Sequence, residues 1–306
     1  MKHKKIPVWL LTGFLGSGKT SLLLNWLRDA ALANVALVIN EIGEVGVDNA
    51  LVSACVDSAS VLVGNCVCCT GLEGLETSMS DLWWDRLYRK RPHFDAVIIE
   101  TTGLANPISI QASFQHHPLL RERYRLQATL TTISACSGIH VLNTFDEAVS
   151  QVAYADVILL THADKQDATP VLQEVQRRNS HAICLFSSNA SVSWPEIVAA
   201  SQVGSIQDHP HPQSHTHQHA SASQFLATPI FADAKQLNEY LKTQLKPHVI
   251  RMKGIVLLED AKMWVVQWAV LDQLPSITPY IGAVPKSFGL TFITENHPRH
   301  RLSAID

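Results

Sequence analysis

The chain has 306 residues, of which 46% are hydrophobic and 17% charged, with a formal net charge of −3. That length suits two domains with ample core. The charge offers no basic face for nucleic acid, and no apolar run approaches the ~18–20 residues that span a bilayer. Six cysteines, with Cys66, Cys68 and Cys69 crowded together, do not read as a disulfide framework. In a cytoplasmic protein such clustering points to metal or redox chemistry.

Met1 to Lys5 followed by Ile6 to Leu11 superficially resembles a signal peptide, but this apolar run leads straight into a glycine-rich loop and reads as its first strand. Val8–Thr12, Val35–Ile39, Ala96–Ile99 and Val157–Leu160 are continuous apolar runs, the pattern of parallel strands buried on both faces. Helix-compatible segments, Ser21–Leu32 and Leu75–Leu87, lie between them. The expectation is an α/β fold with a mostly parallel sheet. Near residue 200 the composition shifts, and 207–223 is rich in His, Ser and Pro without apolar periodicity, as a linker would be. Beyond it, Asp233 is placed to cap a helix presenting Leu237, Tyr240, Leu241 and Leu245. Ile250–Leu258 and Trp264–Leu271 read as strands, with Leu290–Ile293 as a third. The division expected is residues 1–200, a linker over 201–225, and a small α+β domain over 226–306.

Gly13-Phe-Leu-Gly16-Ser17-Gly18-Lys19-Thr20 is a complete phosphate-binding loop, with a strand before it and a helix after it. Glycines let backbone N–H groups face the phosphates, Lys19 supplies charge at the β/γ-phosphates, and the Thr20 hydroxyl suits magnesium. The helix beginning near Lys19 turns its N-terminus toward the anion. Magnesium needs a second acidic group at a neighbouring strand end, which Glu100 provides, and Gly103 is placed to offer its N–H to a γ-phosphate. Thr161-His162-Ala163-Asp164 follows an apolar strand in the manner of a guanine-reading element. Asp164 can accept from the guanine N1 and N2 donors, while His162 stands where a lysine is usual. Ser187-Ser188 is a candidate to back the base, or a plain strand-end turn.

Three thiols as close as Cys66, Cys68 and Cys69 suit a soft or borderline ion such as zinc. No Cys-x-x-Cys motif opens a thioredoxin-like helix here, which weighs against a redox pair. Zinc prefers four ligands, so a carboxylate, a His, water or a partner chain is needed to complete the set. The phosphate loop, Asn40-Glu41-Ile-Gly-Glu44, Cys66-Val-Cys-Cys69 and Glu100-Thr-Thr-Gly-Leu-Ala-Asn-Pro107 occur in that order. Together they resemble the CobW family of metallochaperone GTPases, related to the HypB and UreG nickel-insertion GTPases, over roughly residues 6–190.

The resemblance implies a GTPase whose Mg-GTP state organises a metal site and whose hydrolysis releases the ion to a client metalloprotein. It makes Cys66, Cys68 and Cys69 internal metal ligands and sets Glu41 near both nucleotide and metal. Glu44 and Asp48 read as solvated loop carboxylates. The thiols leave zinc, cobalt and nickel open, with zinc preferred on ligand softness. His209, His211, His215, His217 and His219 in the linker suit a low-affinity metal reservoir, or simply a polar loop. No side chain stands out as the group that orients the attacking water, so slow turnover is expected, with a homodimer or client completing the site in trans. A zinc buffer without delivery is one alternative. A small-molecule kinase is another, with Arg121, Arg123 and Arg125 as its lid, although these arginines read better as a solvated helix face.

Overall fold

The computed structural model describes residues 4–27, 32, 34–41, 66–188, 191–204, 221–246, 249–269, 274–280, 284 and 287–295. They form two compact units. The first holds β1 (Ile6–Gly13), α1 (Lys19–Trp26), β2 (Val35–Glu41), β3 (Cys66–Thr70), α2 (Gly71–Leu87), β4 (Ala96–Thr101), α3 (Pro107–His116) and α4 (Pro118–Arg123). It continues through β5 (Tyr124–Ser134), α5 (Gly138–Thr144), α6 (Asp146–Ala153), β6 (Val157–Thr161), α7 (Thr169–Arg178), β7 (Ile183–Ser187) and α8 (Trp194–Gly204). Its seven strands lie in the order β3-β2-β4-β1-β5-β6-β7, and every neighbouring pair is parallel.

Alternation along the strands explains how one sheet carries two cores. Trp9 and Leu11 of β1, Leu37 and Ile39 of β2, and Ile98 of β4 point to one face, where Leu22, Leu23 and Trp26 of α1 and Trp194 and Ile197 of α8 cover them. Trp194 meets the rings of Trp9 and Trp26 edge-on at 5.1 and 5.4 Å, and the Trp26 indole donates to the Val192 carbonyl. Val8, Leu10, Val38, Val97 and Ile99 point the other way, onto Leu75, Met79 and Leu82 of α2 and Ile110 and Phe114 of α3. Burying each of these large side chains contributes about 1.5–3 kcal/mol. Helix α1 begins at Lys19, as expected from the phosphate loop, and ends at Trp26. Asn106-Pro107 opens α3, with Pro107 in the first turn and the Asn106 side chain accepting from the Ile108 N–H, a cap worth about 1 kcal/mol.

Two sequence expectations need correction. The run Arg121, Arg123, Arg125 is not one helix face: the first two lie on α4, and Arg125 lies on β5. Arg125 pairs with Pro7, whereas the β5 residue beside the phosphate loop is Thr132, in register with Gly13. Seven residues of strand, about 23 Å, separate the two, so these arginines sit at the wrong end of the sheet for a phosphate lid. The Arg123 guanidinium instead stacks on Trp83, 4.8 Å from its centroid. The second correction concerns the linker: its first residues, 201–204, end helix α8, and its last, 221–225, belong to strand β8 (Ser221–Ala227).

The second unit is an antiparallel sheet in the order β11-β10-β9-β12-β8. The remaining strands are β9 (Val249–Leu257), β10 (Met263–Ala269), β11 (Ser276–Pro279) and β12 (Gly289–Glu295). Helix α9 (Ala234–Gln244) is capped by Asp233, whose side chain accepts from the Gln236 N–H. It lays Leu237 and Leu241 against Met252, Val256, Val266 and Phe292, with Tyr240 and Leu245 partly buried beside them. No helix among the described residues is long and apolar enough to cross a membrane.

Candidate functional site

Parallel strands bring their C-terminal ends to one side of the sheet, and ligands of such sheets bind where the strand order reverses. Here that point is β1, flanked by β4 and β5. Gly13 ends β1 with φ 137°, Gly16 has φ 73°, and Gly18 caps α1 in the left-handed region at φ 91°. At Gly13 a side chain is excluded twice over, because a Cβ there would collide with the hydroxyl and the backbone carbonyl of Thr132.

The loop is held by its own polar groups. The Lys19 ammonium, almost fully buried, donates to the carbonyls of Gly13 at 2.7 Å and Phe14 at 3.1 Å. The Ser17 hydroxyl lies 2.6 Å from that of Thr132. Thr20 Oγ1 donates to Glu100 Oε1 at 2.7 Å. Glu100 is 4% exposed and stands one residue before the end of β4, so its carboxylate and the Thr20 hydroxyl converge beside the glycine loop. Two hard oxygen donors on adjoining elements fit magnesium, which favours oxygen ligands and is usually held by few protein groups. Gly103 packs on the loop from the β4 side, where a Cβ would fall 2.7 Å from the Leu15 nitrogen.

The segment expected to read the base, Thr161 to Asp164, is built differently. Thr161 is buried at the end of β6 and donates to the Ser17 carbonyl at 2.8 Å, tying the segment to the phosphate loop. His162 has φ 57°, a left-handed conformation that is costly for residues other than glycine, and less so for Asn and Asp. Its carbonyl accepts from the Lys165 and Gln166 N–H groups, and its Nδ1 lies 2.9 Å from the Ser134 hydroxyl. Asp164 is exposed on the resulting turn. The turn runs on to Asp167, whose carboxylate accepts from the backbone N–H and the hydroxyl of Thr169 at the start of α7. Those bonds hold its pKa below the usual carboxylate range. Ser187 is buried at the end of β7 in register with Thr161, and Ser188 is exposed.

Cys66, Cys68 and Cys69 lie on β3, paired along β2 so that Leu37 faces Cys66, Ile39 faces Cys68, Asn40 faces Cys69 and Glu41 faces Thr70. On its other side β2 pairs Ile39 with Glu100. Glu100, Ile39 and Cys68 therefore stand level on three adjacent strands, with about 10 Å between the outer two backbones. The side chains of Cys66, Cys68, Cys69 and Glu41 are outside the described structure, as are Glu44, Asp48 and the linker histidines 209, 211, 215, 217 and 219. Among the described residues, no three His, Cys, Asp or Glu side chains are grouped to hold a metal.

Several supporting groups escape a reading of the sequence. The Thr101 hydroxyl donates to that of Thr12 at 3.0 Å, and Gln151 of α6 donates to the carbonyls of Gly103 and Ala105. Neither Thr12 nor Gln151 carries a motif signal; only the sheet register and the packing of α6 reveal them.

Residues 7–185 match the CobW/HypB/UreG nucleotide-binding domain. Zinc chaperone YjiA of Escherichia coli is 39% identical over 178 residues, 58% of this chain and 56% of that protein. Zinc-regulated GTPase metalloprotein activator 1 of Schizosaccharomyces pombe is 31% identical over 170 residues, 52% of this chain and 39% of that protein. The chain thus spans about half the length of the curated relatives it matches. The crystal structure of the Zn(II)-bound YjiA GTPase from E. coli is similar across 96% of both chains, at 26% identity and a TM-score of 0.51. The chain belongs to the CobW/HypB/UreG nucleotide-binding family.

Proposed function

We propose that this protein is a slow GTPase that couples binding and hydrolysis of Mg-GTP to the loading of zinc and its transfer to a client metalloprotein. The observation that carries the reading is the level alignment of Glu100, Ile39 and Cys68 across β4, β2 and β3. A displacement of the strand end that meets the nucleotide is then two hydrogen-bonded strands away from the thiol motif. Zinc is the ion best suited to three thiolates, ahead of cobalt and nickel, and it is the ion named in the descriptions of the relatives. Cys66, Cys68 and Cys69 with Glu41 are the ligands assigned to it, with the linker histidines as a weaker reservoir. Free thiols in this number suit the reducing cytoplasm.

In the hydrolytic step, water oxygen bonds to the γ-phosphorus as the bond to the β–γ bridging oxygen breaks, leaving GDP and inorganic phosphate. Loop amides between Gly13 and Thr20 hold the phosphates in place, and Lys19 balances charge gathering on the β–γ bridge. Thr20 and Glu100 are the residues that hold magnesium. When bound, that ion neutralises the β- and γ-phosphate oxygens. Asp164 reads the guanine N1 and N2 donors. No described side chain is assigned to orient the water, which accounts for slow turnover, and a second copy of the chain or the client completes the site in trans.

The test is a zinc competition titration with a Mg-GTP analogue, with Mg-GDP and without nucleotide. The control is a triple variant, Cys66→Ser, Cys68→Ser and Cys69→Ser, with the linker intact. The GTP analogue is expected to tighten zinc binding about 10-fold or more, within the roughly 5- to 150-fold usual for coupled sites, and the triple variant to lose that effect. Zinc affinity indifferent to nucleotide would sink the switch, since coupling is reciprocal.

A further inference from the structure

Helix α6 touches both the phosphate loop and the segment that follows β4, and Gln151 makes the second contact through hydrogen bonds. Its side chain is fully buried. Its amide nitrogen donates to the Gly103 carbonyl at 3.1 Å and to the Ala105 carbonyl at 3.0 Å. Its amide oxygen is buried and accepts no hydrogen bond from the described residues. An apolar side chain of similar volume would leave no unmatched acceptor behind. What the amide adds, at that cost, is the pair of donated bonds to one loop.

The rest of α6 is fixed to the site by other means. Thr131 of β5 donates to the Gln151 carbonyl at 2.8 Å. Phe145, immediately before the helix, stacks on Phe14 of the phosphate loop with centroids 4.4 Å apart. Gly103 in turn abuts Leu15 of that loop, too closely for a side chain. The phosphate loop, segment 103–105 and α6 therefore close a triangle, and the Gln151 amide makes the hydrogen-bonded link between α6 and segment 103–105. It commits the Gly103 carbonyl; on the nucleotide-site reading, the Gly103 N–H is the group offered to a γ-phosphate.

We propose that Gln151 is a positioning residue that presets the 103–105 segment to receive the γ-phosphate, so that it sets the preference for GTP over GDP without touching either. The inference rests on the nucleotide-site reading given above. GDP lacks the group that this segment meets, so losing the Gln151 donors should weaken binding of the triphosphate selectively. A ligand shifts a conformational equilibrium only by its differential affinity.

The full chain and its Gln151→Met variant, unbranched and similar in length, would be titrated with a Mg-GTP analogue and with Mg-GDP, alongside single-turnover hydrolysis and thermal unfolding. Val152→Ala, which trims the neighbouring buried side chain of α6, separates lost packing from lost hydrogen bonds. The Q151M variant is expected to lose about 10-fold in affinity for the GTP analogue, the scale of two neutral hydrogen bonds, with GDP affinity held within about twofold and hydrolysis falling in parallel. The V152A variant should unfold at a lower temperature yet keep the wild-type ratio of the two affinities. Equal losses for both nucleotides in Q151M, or no loss at all, would overturn the proposal. A shifted ratio in V152A as large as that in Q151M would overturn it too. Wild-type protein that fails to bind GTP would overturn the nucleotide reading itself, and that result is visible before any variant is made.

Discussion

The phosphate end and the base end of this site belong to the same sheet edge but are built on different terms. At the phosphate end the working groups are backbone amides and buried side chains bonded to one another: Lys19 to the carbonyls of Gly13 and Phe14, Thr20 to Glu100, Ser17 to Thr132. At the base end buried Thr161 ties the turn to the phosphate loop, and Asp164, the proposed reader of the base, is exposed on it. Interlocked backbone chemistry leaves little freedom in the sequence, whereas a turn held by its own main chain tolerates exchange of the side chains it displays. The replacement of the usual lysine by His162 falls in the tolerant half.

The sharpest way to test that contrast is to remove charge from the rigid end. Lys19→Ala is expected to lower GTP hydrolysis by about 10²- to 10³-fold, the scale of deleting one preorganised donor from a transition-state site. Single-turnover hydrolysis measures it. A loss below tenfold would mean that the loop amides hold the phosphates without the ammonium, and the interlocking described here would count for little.

This contrast also governs how much was legible beforehand. Gly13 to Thr20 and Glu100 could be read from sequence because backbone geometry and a strand-end carboxylate impose residue types at fixed spacing. The inner strands β1, β2, β4 and β6 read as unbroken apolar runs. Strand β5, which lies beside β1 at the centre of the sheet, did not. Thr129, Thr131 and Thr132 interrupt its apolar pattern, yet all three are buried. Thr129 takes a hydrogen bond from the Gln111 amide, Thr131 donates to the Gln151 carbonyl, and Thr132 donates to the Thr12 carbonyl. Hydroxyls satisfied by partners 18 to 120 residues away look solvent-facing until the fold supplies those partners. Gln151 is invisible for the same reason, and β8 is hidden because Ser221–Ala227 opens on four small or polar residues, Ser221 to Gln224, with Phe225 and Leu226 its only bulky ones, while its pairing with β12 supplies the ladder.

A smaller effect is expected from changing the reader. Asp164→Asn exchanges one acceptor for a donor opposite the guanine N1 and N2 groups. Affinity for GTP should fall about 10- to 100-fold, the range for hydrogen bonds to a charged group. Affinity for xanthosine triphosphate should rise, because its 2-carbonyl accepts what the new amide donates. Competition binding with the two nucleotides and ATP checks this. Parallel losses for all three would place Asp164 in the support of the turn and not in reading the base.

The smallest effect is reserved for the substitution that looks largest on paper. His162→Lys restores the residue usual at this position, and the turn gives little reason for it to matter. The left-handed backbone at 162, a conformation in which histidine is enriched, costs a lysine somewhat more than a histidine. The two hydrogen bonds that close the turn are made by the His162 carbonyl, with Lys165 and Gln166 as donors, so they survive the exchange. What is lost includes the contact of the imidazole with the Ser134 hydroxyl at 2.9 Å and a longer one with the Thr161 hydroxyl at 3.4 Å, the former worth about 1 kcal/mol. What is gained is an aliphatic stem able to lie along the base. These oppose each other, and GTP affinity should stay within about threefold, given that each single term is near 1 kcal/mol. A gain above tenfold would show that the histidine leaves the base end under-built, with affinity traded for something else the imidazole does. A loss of that size would show that the Ser134 contact aligns β5 with the turn, making the base end as interlocked as the phosphate end and erasing the contrast between them.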